Sequence, residues 1–103
     1  MQVAEEGTVA YTAYLAEPWR SRGWKIKIFD RERNEEPHIT IIRGTAYWRW
    51  GLRSQRFLDR EPDSREVPRA LVEFACENMV LLSNAWNMLH PHNPVASKEV
   101  LDE

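Results

Sequence analysis

A chain of 103 residues with 43% hydrophobic and 29% charged residues has the size and balance of one globular domain. Its net charge of −2 argues against bulk attraction to nucleic acid or to an anionic membrane, and no run approaches the ~18 consecutive apolar residues of a membrane span. A single cysteine, Cys76, excludes an internal disulfide and a cysteine-pair metal site.

The total charge conceals a division along the chain. Residues 20–60 hold eleven Lys/Arg against five Asp/Glu, a net +6, whereas the segments before and after carry −3 and −5. The opening residues Met1-Gln2-Val3-Ala4-Glu5-Glu6 lack the basic start and apolar run of a signal peptide, so a cytoplasmic protein is expected.

In chain order, residues 8–15 alternate, with Val9, Tyr11, Ala13 and Leu15 opposite Thr8, Ala10, Thr12 and Tyr14, and Pro18 closes the segment. The pattern fits a strand, and the Ala and Leu content also suits a short helix. Trp19, in Glu17-Pro18-Trp19-Arg20, has no periodic partner; a Trp beside an Arg has the composition of an interface hot spot. Residues 24–29 place Trp24, Ile26 and Ile28 on one face and Lys25 and Lys27 on the other, the period of a half-buried strand. A polar turn follows over residues 30–34.

Residues 38–53 predict a hairpin. His38-Ile39-Thr40-Ile41-Ile42-Arg43 is rich in β-branched residues, Gly44 supplies the turn, and Ala46, Trp48, Trp50 and Leu52 then alternate with Tyr47, Arg49, Gly51 and Arg53. Past a polar loop at 61–64, Pro68 fits the first turn of a helix, because its missing N–H has no intrahelical partner there. The helix should run unbroken to about Leu89, with Leu71, Ala75, Met79, Leu82, Trp86 and Leu89 as its core stripe. Val72, Cys76 and Val80 add a second apolar flank, which reads Cys76 as a core thiol. His90-Pro91 ends the helix before an exposed tail over 91–103. The expected fold is α+β: one domain over 1–103, an antiparallel sheet of three to four strands packed against one long C-terminal helix, with Trp48, Trp50 and Trp86 in one core.

Glycine-rich phosphate loops, nucleophile elbows and zinc-protease histidine pairs are all missing, which removes support from the main enzyme classes. His90 and His92 form a His-x-His, yet a zinc site needs further ligands held in place, so the pair reads as two exposed histidines at a helix C-terminus. No metal or other cofactor is expected. His38 opens a strand, where a ring can be fixed and accessible enough for acid/base work, and Arg43, Arg49 or Arg53 nearby could stabilise phosphoryl charge. Lys25, Lys27, Tyr47, Arg49 and Arg53 together have the basic-plus-aromatic composition of an RNA-contacting face, or of a solvated face met by a partner's acids.

The segment 24–89 resembles a family of small uncharacterised bacterial proteins often encoded near toxin–antitoxin genes. The resemblance rests on Lys25-Ile26-Lys27-Ile28, Glu36-Pro37-His38, Pro68 and Trp86, against a family pattern of acidic-x-Pro-Pro-His-x-His before a hairpin and a helix. Glu36 stands where that pattern has its first Pro, and Thr40 where it has its second His. The order of elements is also similar to that of small interferase toxins with a double-stranded-RNA-binding fold, an analogy of fold only. The leading expectation is a non-enzymatic interaction module that binds another macromolecule, a protein or its own copy, through the basic sheet face and the apolar helix flank. RNA is the second partner class. The alternative is a metal-independent ribonuclease-like toxin with His38 as general acid/base and Arg43 or Arg49 steadying phosphate.

Overall fold

The computed structural model describes residues 9–30 and 35–95. Alternation and β-branching produce four strands: β1 Val9–Ala13, β2 Trp24–Phe29, β3 His38–Arg43 and β4 Ala46–Gly51. They form one antiparallel sheet in the order β1-β2-β3-β4, so each strand lies beside its neighbour in sequence. Residues 9–13 are therefore strand rather than helix, with an irregularity between Val9 and Tyr11. Thr8, residues 31–34 of the polar turn and residues 96–103 of the tail lie outside the described residues.

Register explains the burial pattern. Ile26 pairs with Ile41 and Ile41 with Trp48, and because directly paired residues share a face, these side chains form a continuous apolar layer. Gly44 turns the hairpin at φ 62°, a conformation costly for any residue with a Cβ. β4 ends at Gly51, two residues short of the hairpin boundary read from alternation. Beyond it the chain turns back along the outer edge of β4: the Gly51 N–H donates to the Arg56 carbonyl, the Leu58 N–H to the Arg49 carbonyl, and Trp50 bridges Phe57. An added Cβ at Gly51 would collide with the Glu36 carboxylate, which accepts a bond from the Ser54 N–H at 3.0 Å.

The helical part departs from the expected single rod. A 3-10 turn at Ser64–Glu66, capped by the Asp63 carboxylate, leads to Pro68, which stands just before α1 Arg69–Glu77. α2 Met79–Leu89 follows after one residue. The break is at Asn78, whose side-chain amide donates to the Phe74 carbonyl at 2.8 Å, the same oxygen that accepts the Asn78 N–H. A side chain that competes for a helix carbonyl in this way bends the helix. Leu71, Ala75, Leu82 and Trp86 are buried, joining Trp48 and Trp50 in one core. Each fully buried aliphatic side chain there contributes about 1.5–3 kcal/mol. The second flank turns outward: Cys76 and Val80 are exposed, so Cys76 is not the core thiol its apolar neighbours suggested. Pro91 and His92 are exposed as expected of a tail, but Val95 is buried and the segment before it folds back on α2.

Candidate interaction face

Helices and core occupy one side of the sheet. The other side is built from the alternate residues of the same strands, and cross-strand pairing sets them in two rows, Lys25 beside Ile42 beside Tyr47, and Lys27 beside Thr40 beside Arg49. A groove of about 790 Å³ runs over this face, lined by Phe29, Thr40, Ile42, Tyr47, Arg49 and Asp59, with Glu35 and Glu61 at its margin. Tyr47 is 57% exposed, Lys25 is exposed and Lys27 half-buried.

Arg49 is held from two directions. Its Nε donates to Asp59 Oδ2 at 2.9 Å and its Nη2 to Asp59 Oδ1 at 2.7 Å, a bidentate pair, while Nη1 donates to Glu35 Oε1. These bonds from Arg49 hold the Asp59 carboxyl below its ordinary range, the Arg49 and His38 charges adding to them and burial opposing. The groove thus sets Arg49 against two bonded carboxylates with a third, Glu61, in its lining, so among the described residues the basic character expected of this face lies along β2. Glu35, Asp59 and Glu61 carried no signal in the sequence, because the acid ten residues past Arg49 reaches it only after the chain doubles back along β4.

His38 lies at the buried end of β3, fully enclosed. Its Nδ1–H donates to the Glu36 carbonyl at 2.8 Å, since a carbonyl can only accept, and its ring centre is 5.4 Å from that of Trp86. Arg43 is at the opposite end of the same strand, about 16 Å away for six extended residues, where it lies over the Trp24 ring. The expected grouping of His38 with Arg43 therefore does not form. Arg53 follows β4 and turns away from the face, its Nη2 donating to the Pro94 carbonyl at 2.9 Å. Trp19 is half-buried against the core, with Arg22 over its ring at 5.5 Å.

His90 corrects a further expectation, being buried rather than exposed: its ring stacks on Trp86 with centres 3.8 Å apart, and its Nε2–H donates to the Phe29 carbonyl at 2.9 Å. That bond occupies its Nε2, while His92 is exposed. Among the described residues no three His, Cys, Asp or Glu side chains group closely enough to hold a metal ion. No described helix is long and apolar enough to cross a membrane. No protein-family model matches the chain, and no significant similarity to a curated protein or to a solved structure is found.

Proposed function

We propose that the chain is a non-enzymatic protein-interaction module whose contact surface is the open face of its sheet. The observation that carries this reading is the asymmetry of the sheet: one face is sealed by α1 and α2, while the other presents the groove with Tyr47 standing exposed at its side. Exposed aromatic rings beside aliphatic floor residues are the usual anchors of protein contacts. The ribonuclease-like alternative draws less support, because its acid/base, His38, is enclosed beside Trp86 and its phosphate-binding Arg49 is engaged by two carboxylates. A link to toxin–antitoxin systems rests on the motif resemblance alone.

Site-specific photocrosslinking tests the module. Tyr47→p-benzoylphenylalanine, expressed in cells, is expected to give a discrete protein adduct that disappears when Ile42→Asp is added, while the same probe at the exposed helix position Met88 gives none. Adducts sensitive to ribonuclease, together with RNA cleavage by the purified protein that His38→Gln abolishes, would favour the alternative.

A further inference from the structure

The groove has a sign and a shape beyond being open. Among the described residues its charged lining is Arg49 against Glu35, Asp59 and Glu61, a formal −2, and Arg49 has most of its donors committed to the first two. An anion entering here would have to displace Asp59 from a bidentate pair; a cation meets surplus carboxylate. The apolar part of the lining, Phe29, Ile42 and Tyr47, lies on the same concavity and suits aliphatic stems or rings. A second observation is independent of charge. Thr40 lines the groove from the middle of β3 and is 5% exposed, which sets a hydroxyl group in its wall. A hydroxyl in the wall can donate to or accept from an occupant.

We infer that the groove receives an extended partner segment carrying an arginine or lysine side chain, the cation seated against Glu35 and Glu61 and the flanking apolar residues against Ile42 and Tyr47. This rests on the open face being the contact surface and adds the chemistry of what it contacts. The long stem of Arg or Lys covers apolar surface while its head keeps to the carboxylates, and the face of Tyr47 offers the same cation an aromatic surface. Lys25 and Lys27 on β2 sit to the other side of Ile42 and Thr40, so the face is charge-divided and the segment has a preferred direction across it.

Amide NMR titration of the full chain decides the matter with three probes: an end-blocked Leu-Arg-Leu-Arg-Leu peptide, its Leu-Glu-Leu-Glu-Leu counterpart, and a single-stranded oligoribonucleotide. The arginine peptide should bind, shifting Thr40, Ile42 and Tyr47, and should weaken about tenfold or more when the salt is raised from roughly 0.05 to 0.5 M. Glu35→Gln with Glu61→Gln should weaken it by about tenfold, and Glu61→Gln alone, at an exposed residue, by about threefold, within the range of charge–charge contacts at partly exposed sites. Equal or tighter binding of the glutamate peptide or the RNA, with shifts centred on Lys25 and Lys27, would overturn the cationic occupant while leaving the open face as the contact surface. Shifts confined to Val80, Leu81 and Met88, or none on the sheet with any probe at about 1 mM, would overturn both.

Discussion

The guanidinium of Arg49 donates to two carboxylates, and Asp59 takes the larger share, with two bonds to its two oxygens. Both side chains are about three-quarters buried, 29% and 26% exposed, so the pair is worth more than a surface ion pair and less than one in the core. Asp59→Asn should lower stability by about 1–2 kcal/mol at neutral pH, as expected for loss of charge-assisted hydrogen bonds. The pH dependence has a definite sign. The Asp59 carboxyl is held below its ordinary range in the fold, so its contribution is complete above the unfolded value near ~3.9 and is lost as pH falls through the lower folded value. Urea unfolding from pH 7 to acid should therefore show the gap between wild type and Asp59→Asn closing below pH ~4; a constant gap would mean that shape, not charge, carries the pair. Nothing around Arg49 in sequence announces this arrangement. Alternation places the residue on the outer face correctly, but its partners arrive from the β2–β3 connection and from the return segment after β4.

At the scale of elements, residues 90–95 act as a strap across one end of the sheet. His90 bonds the Phe29 carbonyl, Asn93 Nδ2 bonds the Glu35 carbonyl at 2.7 Å, the Asn93 carbonyl accepts the Trp86 indole N–H at 2.7 Å, and the Val95 N–H reaches Asn87 Oδ1 at 2.7 Å. Phe29 and Glu35 also line the groove, so the strap steadies two of its walls from behind. Val95→Ala should cost about 1–2 kcal/mol, the loss of two buried methyl groups. Hydrogen exchange should speed up most at the amides of His90, Asn93 and Val95, which answer to local release of the strap; acceleration spread evenly through the sheet would mean that the strap opens only with the whole fold. The broken helix belongs to the same scale. The apolar spacing runs unbroken through residue 78 and gives no hint of a break, because periodicity reports which side faces the core and not whether the rod stays straight. Asn78 is a poor helix residue able to bond backward, and that alone marks the place.

For the molecule as a whole, two surfaces compete as contact sites, the open sheet face and the outer side of α2, where Val80 is 63%, Leu81 50% and Met88 81% exposed. Scattered exposed apolar residues are common on monomers, and these three lie outside the groove. Val80→Ser, Leu81→Ser and Met88→Ser should each change stability by no more than about 0.5 kcal/mol, with midpoints independent of protein concentration. A midpoint that rises with protein concentration in the wild type and not in the variants would instead identify the helix face as the seam of a dimer. The sequence by itself determined the α+β class, three of the four strands, the inward Ile and Trp residues and the outward Lys, Tyr and Arg, since period-two alternation is local and each residue's face follows from its neighbours, while residues 8–15 suited strand and helix alike. Only the tertiary structure decided that His38 and His90 are enclosed around Trp86, that Arg43 lies over Trp24 and away from His38, that Arg53 leaves the face, and that three of the described acids line the groove at Arg49. These outcomes depend on contacts between residues far apart in the chain, such as His90 with Phe29 and Arg53 with Pro94, and local pattern carries no information about which distant groups the folded backbone brings within hydrogen-bonding reach.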